Sequence, residues 1–118
     1  MIKQILLVGA GGAVGSVLRF LTSTFIVRLE SFPLPVATFA VNIIGCLCIG
    51  MLSNLIPSNS LRLLLITGFC GGFTTFSTFA SETLTLMNNN QTPQAFVYTL
   101  ASCVIGISAV WLGMYITK

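Results

Sequence analysis

Ionisable side chains are scarce in this sequence of 118 residues, which contains five Lys or Arg, two Glu and no Asp or His. Charged residues make up 6% of the chain, compared with roughly 25% in an ordinary soluble domain. So few charges cannot cover a surface that faces water. The lack of His and Asp also removes the usual residues of general acid–base catalysis and of most metal sites. We therefore expect no enzymatic activity.

Apolar residues dominate instead, at 55% of the chain and a mean hydropathy of +1.01. Four long apolar runs follow one another, separated by short polar or proline-containing connections. A helix needs about 20 apolar residues to cross a hydrocarbon core of about 30 Å, and every run is long enough. We predict an all-α, multi-pass membrane protein that forms a single domain over residues 1–118. The predicted spans are residues 5–27, 36–56, 61–86 and 95–116.

The basic residues give only a weak signal for the orientation of these spans. With the N-terminus inside, Lys3, Arg62 and Lys118 would lie on the cytoplasmic side, opposed by Arg28 outside. Cytoplasmic loops carry an excess of Lys and Arg, so both termini are expected inside, but insertion in both orientations stays open. A nucleic-acid-binding surface would need a clustered basic face, and we expect no nucleic-acid partner.

The cysteines lie inside apolar runs, and none of them forms a C-x-x-C pair. This placement favours small buried hydrophobic residues over disulfides or metal ligands. The residues concerned are Cys46, Cys48, Cys70 and Cys103.

The first run contains a G-x-x-x-G pair at Gly11 and Gly15. Such a pair lets two membrane helices approach closely, and we expect close packing there. A dinucleotide-binding loop is not expected, because the strict glycine pattern fails and no alternating strands and helices follow.

The third run carries an unusual central stretch, residues 68–79, with the sequence GFCGGFTTFSTF. Adjacent glycines cost roughly 1 kcal/mol each in a helix interior relative to Ala. We therefore expect the third helix to be broken near its middle, where Gly71 to Thr75 would present freed backbone carbonyls at membrane depth, as in discontinuous transporter helices.

The side chains after this break suit a small anion. Phe76 and Phe79 fall at i and i+3, on one helical face, and the edge of a phenyl ring is electropositive. Ser77 and Thr78 add hydroxyl donors. In the alternative reading, the glycines and hydroxyl residues pack helices together and the phenylalanines face lipid.

Three further polar residues lie within the predicted spans, and each has two readings. Asn42 either lines a pathway or bonds a neighbouring helix. Arg19 either extends its charged end to the interface or attracts an anion to a water-filled vestibule. Glu82 is an interfacial residue or a helix-bonding acid.

Together the segments 12–20 (GAVGSVLRF), 42–45 (NIIG) and 68–79 resemble those of the Fluc (CrcB-type) fluoride channels. The resemblance extends over all four spans, and the third segment is its most specific part. It implies an antiparallel, dual-topology homodimer with two fluoride pathways, each built by both subunits. It also implies a central structural Na⁺ held by the main-chain carbonyls of Gly71 and Thr74 from both subunits.

The resemblance further implies roles for individual side chains. Phe76 and Phe79 would be the pore phenylalanines, Asn42 the pore-lining amide, and the hydroxyls after the break a polar track. Arg19 matches the motif arginine, and the fourth span adds a pair of residues one turn apart. The residues expected along the anion path are Arg19, Asn42, Thr75, Phe76, Ser77, Thr78, Phe79, Tyr98 and Ser102.

The implied function is passive export of cytoplasmic fluoride across the cell (inner) membrane, with fluoride and membrane lipid as partners. A small proton-coupled multidrug exporter is the first alternative. It would need an acid deep in the first span, which has none, and Glu82 is misplaced for that role. The second alternative is an accessory subunit of a larger membrane complex, which explains glycine packing but not the TTFSTF cluster.

Overall fold

The computed structural model describes residues 1–29 and 34–118, and nearly all of these residues are helical. Three of the helices have 20 residues or more, and the third segment of the chain comprises several consecutive elements. The elements are α1 (Ile2–Leu29), α2 (Val36–Leu55), α3 (Asn59–Arg62), a π-helical segment (Leu63–Cys70), α4 (Gly71–Phe73), α5 (Phe76–Asn88) and α6 (Thr92–Ile116).

Four helical stretches are long and apolar enough to cross a membrane: Ile2–Leu29, Val36–Leu55, Asn59–Asn88 and Thr92–Ile116. The prediction of an all-helical, multi-pass membrane protein is confirmed. The predicted limits of the spans stay predictions, because helix bounds alone do not fix where the surrounding lipid begins and ends. The predicted connection around Glu30 and Pro33 lies outside the described residues.

Local interactions explain where the helices end. The Ser58 side chain accepts a hydrogen bond from the Leu61 N–H and caps α3, as Ser commonly does. Arg62 Nη1 donates to the carbonyls of Ser53 at 3.1 Å and Ile56 at 2.7 Å. It thereby pairs carbonyls that lack helical partners at the end of α2. The Arg62 side chain thus joins the end of α2 to the start of the third span.

Glycines set the packing of α1 against the third span. A Cβ added at Gly11 or Gly15 would overlap the carbonyl oxygens of Leu64 and Phe69 respectively. A Cβ at Gly72 would come within 2.7 Å of the Gly12 carbonyl oxygen. The backbones therefore touch, and the close approach predicted from Gly11 and Gly15 is confirmed.

A second small-residue contact joins α2 to α6. Gly50 and Gly113 face each other there, and a Cβ on either would collide with backbone of the opposite helix. The described residues consequently form two helix pairs, α1 with the third span and α2 with α6, and α2 also contacts α1.

Few side chains are fully buried, as expected for a chain whose solvent is lipid. Val41 and Cys70 are completely covered, and a further buried cluster joins Leu86, Ala95 and Tyr98. Of the cysteines, Cys46 and Cys48 are half-buried while Cys103 is exposed. For Cys103 the expectation of burial is wrong, because it lies on the open side of α6 beside a cavity.

Candidate functional site

The backbone leaves helical geometry at two consecutive residues in the middle of the third span. Thr74 has φ −84° and ψ 159°, and Thr75 has φ −148° and ψ 118°. Both conformations are extended. From Thr75 onward, the backbone N–H groups at this point cannot reach the carbonyls four residues earlier. These N–H and carbonyl groups are therefore available to side chains from other helices.

Asn42 of α2 binds this extended backbone with both ends of its amide. Its Nδ2 donates to the Thr75 carbonyl at 3.0 Å, and its Oδ1 accepts from the Thr75 N–H at 2.7 Å. One turn further along α2, Gly45 lies against Thr74, and a Cβ at Gly45 would overlap the Thr74 methyl group. Thus α2 supplies both a polar clamp and a close contact at the same point.

The Thr75 hydroxyl caps α5, which starts at the next residue. It accepts from the Thr78 N–H at 3.2 Å and donates to the Thr78 hydroxyl at 3.0 Å. The Ser77 hydroxyl lies 3.4 Å from the same oxygen. The cap holds the first turn of α5 and links three hydroxyls of TTFSTF, those of Thr75, Ser77 and Thr78, into one network. The Thr74 hydroxyl donates to the Cys70 carbonyl instead.

Arg19 takes part in the same arrangement from α1. Its Nε donates to the Gly72 carbonyl at 3.0 Å. In a continuous helix that carbonyl would accept from the Phe76 N–H. Arg19 therefore places positive charge beside the extended residues and pairs one of the carbonyls there, a contact that neither reading of the sequence anticipated.

The carbonyls of Gly71 and Thr74 also lose their regular helical hydrogen bonds, because the N–H groups that would donate to them bond elsewhere. A continuous helix would pair them with the N–H groups of Thr75 and Thr78. Those N–H groups donate instead to Asn42 Oδ1 and to the Thr75 hydroxyl. The two carbonyls expected to hold Na⁺ are thus ones whose usual donors are engaged elsewhere.

A cavity of about 270 Å³ lies beside the extended residues, between α2, the third span and α6. Five of the nine residues expected along the anion path line it: Asn42, Thr75, Phe76, Phe79 and Ser102. The start of α5, the positive end of its helix dipole, lies in its wall. The Ser102 Oγ is buried and bonds to none of the described residues, and Ser102 is one of the residues that line the cavity.

The aromatic residues form a row that leads away from the cavity. The ring centroids of Phe76 and Phe79 are 5.7 Å apart with planes at 48°, and those of Phe79 and Tyr98 are 5.1 Å apart at 55°. Tyr98 is buried behind Phe79 and donates its hydroxyl to Glu82 Oε1 at 3.1 Å. Phe76, by contrast, is 78% exposed.

The remaining expected residues lie nearby but do not line the cavity. Arg19 contacts the Gly72 carbonyl, Ser77 and Thr78 belong to the hydroxyl network, and Tyr98 contacts Glu82. Their roles in an anion path stay predictions.

The sequence interpretation missed the apolar wall of the cavity. That wall consists of Ile43, Cys46, Ile49, Cys103 and Gly106. Helical spacing could have found part of it, because Cys46 follows Asn42 by four residues and Gly106 follows Ser102 by four. The bond from Tyr98 of α6 to Glu82 of α5 fits the reading of Glu82 as a helix-bonding acid. Its partner was not predicted, since nothing near either residue along the chain indicates the other.

Comparison with known proteins places this sequence in a family. A family model described as CrcB-like protein, Camphor Resistance (CrcB) matches residues 6–114. A protein of Phocaeicola vulgatus named fluoride-specific ion channel FluC is 44% identical, covering 98% of this chain and 99% of the relative. Fluoride-specific ion channel FluC 2 of Rhodococcus jostii is 46% identical, covering 97% and 98%. FluC of Methylobacillus flagellatus is also 46% identical, covering 98% and 94%. The resemblance found in the sequence is confirmed, and this chain belongs to the CrcB family.

Proposed function

We propose that this protein is a passive channel for fluoride. The observation that carries the proposal is the cavity at which Asn42, the Ser102 hydroxyl, the Phe76 and Phe79 rings and the start of α5 meet. The names of the relatives support fluoride as the ion. A member of this family is a transport protein and not an enzyme, and export across the cell inner membrane is the function that follows.

Fluoride is small and strongly hydrated, so a pore must replace its water with donors and still release it. The cavity offers donors that carry no full positive charge. The Ser102 hydroxyl has no partner among the described residues, and the rings of Phe76 and Phe79 present electropositive edges. Because each contact is weak, the ion can move from one contact to the next.

In this proposal Asn42 combines its two sequence readings, because it lines the cavity and bonds a neighbouring helix. Both ends of its amide are engaged with Thr75, so it holds the path open and orients the donors of TTFSTF. Arg19 holds the other side through the Gly72 carbonyl and adds positive potential without entering the cavity wall.

We further propose that the third span works as a discontinuous helix with a structural Na⁺ at its interruption. The released carbonyls of Gly71 and Thr74 support this, since freed carbonyls of interrupted membrane helices are suitable Na⁺ ligands. These carbonyls are two ligands, and a second copy of the chain would bring the number to four. Bound there, Na⁺ would fix the position of these carbonyls.

An antiparallel homodimer is the assembly that fits these features. Phe76 is 78% exposed although it belongs to the site, so a second subunit would complete its surroundings. The weak charge bias between the two ends of the chain allows both insertion directions. A dimer of this kind would have two pathways. Site-specific crosslinking of singly labelled subunits, read for parallel or antiparallel pairing, tests this assembly.

The function is tested with purified protein in liposomes loaded with fluoride. Release should need no proton gradient and should follow the fluoride gradient alone. The multidrug exporter is not favoured by the family relationship. It would be supported if an imposed proton gradient drove efflux of a cationic dye and Glu82→Gln removed that efflux.

A further inference from the structure

A second cavity, of about 280 Å³, lies at the end of the molecule where α2 and α6 both terminate. It shares no residue with the cavity at the interruption of the third span. Its lining residues are Asn54, Trp111, Met114, Tyr115 and Lys118. The proposed anion path uses none of them.

The aromatic side chains of this cavity are arranged as a pair. The ring centroids of Trp111 and Tyr115 are 5.3 Å apart with planes at 18°, and the residues are one helical turn apart. They are 63% and 58% exposed. Trp and Tyr collect at membrane–water interfaces, where one part of the ring meets apolar chains and another meets polar headgroups.

Lys118 supplies the positive charge of the cavity. Its Nζ lies 5.9 Å from the centroid of the Tyr115 ring, so the ammonium group stands over the outer end of the aromatic pair. No acidic residue lines the cavity within the part of the chain that the structure describes. Lys3 and Arg62 belong to the same end of the bundle, and Arg62 Nη1 is engaged with the carbonyls of Ser53 and Ile56.

Asn54 fixes the base of the cavity. Its Nδ2 donates to the Met114 carbonyl at 2.7 Å and lies 3.3 Å from the Thr117 hydroxyl. These contacts join the end of α2 to the end of α6 and leave the amide oxygen as an acceptor. The base therefore combines a rigid backbone with an acceptor suited to a hydroxyl group.

We propose that this cavity binds the headgroup of an anionic phospholipid of the phosphatidylglycerol type. The phosphate would pair with Lys118, a glycerol hydroxyl would donate to Asn54, and the upper acyl chain would lie along Trp111. The attraction between one Lys or Arg and an anionic membrane surface corresponds to about a fivefold preference for anionic lipid. The cavity volume suits a headgroup and not a whole lipid.

Trp111 makes the proposal measurable, because it is the single tryptophan of the chain. The protein is reconstituted in vesicles that contain brominated phosphatidylglycerol or brominated phosphatidylcholine, and quenching of tryptophan fluorescence gives the relative association constant. We expect the anionic lipid to be preferred by about fivefold. The variant Lys118→Gln should bring the ratio close to one, while Lys3→Gln, at the same end but outside the cavity, should keep it.

Three results would overturn the proposal. Equal quenching by the two lipids in the unmodified protein would remove the preference itself. An equal loss in Lys3→Gln and Lys118→Gln would indicate a general surface charge and not a site. An undiminished preference in Lys118→Gln would show that the preference does not come from this cavity.

Discussion

Asn42 and Thr75 are joined by two hydrogen bonds of opposite direction, one of 3.0 Å from the amide nitrogen to the carbonyl and one of 2.7 Å from the N–H to the amide oxygen. An amide is the side chain that can satisfy an N–H and a C=O of one residue together. Unpaired backbone groups are costly at membrane depth, so the clamp stabilises the extended backbone at Thr75.

The first prediction concerns this clamp. Asn42→Asp keeps an acceptor for the Thr75 N–H but removes the donor to its carbonyl and brings a carboxyl group to the wall of the fluoride cavity. An unpaired buried polar group costs about 1–3 kcal/mol, and an ionised carboxylate would repel fluoride. We expect fluoride efflux from liposomes to fall by at least about tenfold.

Asn88→Asp is the matched control, because Asn88 is an exposed amide at the end of α5. Its fluoride efflux should equal that of the unmodified protein. Full efflux in Asn42→Asp would mean that the clamp is dispensable.

The second prediction distinguishes the hydroxyl of Thr75, which caps α5, from the branched shape of its side chain. Thr75→Val removes the hydroxyl that accepts from the Thr78 N–H, while Thr75→Ser keeps it. Loss of an N-cap costs about 1 kcal/mol. Valine should therefore lower the free energy of unfolding in detergent by about this amount, and serine should change it little. The idea fails if the two substitutions are equally harmful or equally harmless.

The third prediction compares glycines with different surroundings. A Cβ at Gly45 would overlap the Thr74 methyl group, whereas a Cβ at Gly9 would have nothing within 4 Å. Overpacking costs about 1–3 kcal/mol, and we expect Gly45→Ala to lower both stability and fluoride efflux. Gly9→Ala should be neutral, or stabilising by up to about 1 kcal/mol. The measurement is the thermal unfolding of both variants. Equal changes in their unfolding temperatures would contradict the contact at Gly45.

The fourth prediction concerns Na⁺. If the carbonyls of Gly71 and Thr74 bind it, mass action should stabilise the protein as its concentration rises, by about 2.7 kcal/mol at 100 times the dissociation constant. The measurement is the unfolding temperature in sodium chloride and in N-methylglucamine chloride at matched ionic strength. Gly71→Ala should keep the sodium effect, because the nearest atom to its Cβ would be the Ile66 carbonyl oxygen at 3.9 Å. Identical unfolding temperatures in the two salts would rule out a structural Na⁺.

The sequence predicted the features that are set by residues close together along the chain. Apolar runs gave the four spans, and the glycine spacing at Gly11 and Gly15 gave the contact of α1 with the third span. Partners distant in sequence could not be predicted. Arg19 meets the Gly72 carbonyl 53 residues away, and Asn42 meets Thr75 33 residues away, because helix register and rotation set these contacts.

Some features of the site depend on the burial and hydrogen bonding of a side chain in the folded protein, which residue type alone does not indicate. Ser102 was one of several hydroxyls in the fourth span, and only its burial without a partner among the described residues distinguishes it. Cys103 was expected to be buried and instead lies exposed beside the same cavity. A hydropathy pattern cannot tell which apolar residues face a cavity and which face lipid.

The most direct test of the proposed function is anion efflux from liposomes that contain the purified protein, measured for fluoride and for chloride under the same gradient. Phe76→Ile removes the ring edge while keeping an apolar side chain, and Phe96→Ile is its control, since Phe96 is an exposed phenylalanine of α6 that does not line the cavity. We expect rapid fluoride efflux, chloride efflux no faster than from protein-free liposomes, strong impairment in Phe76→Ile and full activity in Phe96→Ile. Absence of fluoride efflux, or chloride efflux at an equal rate, would contradict a fluoride channel.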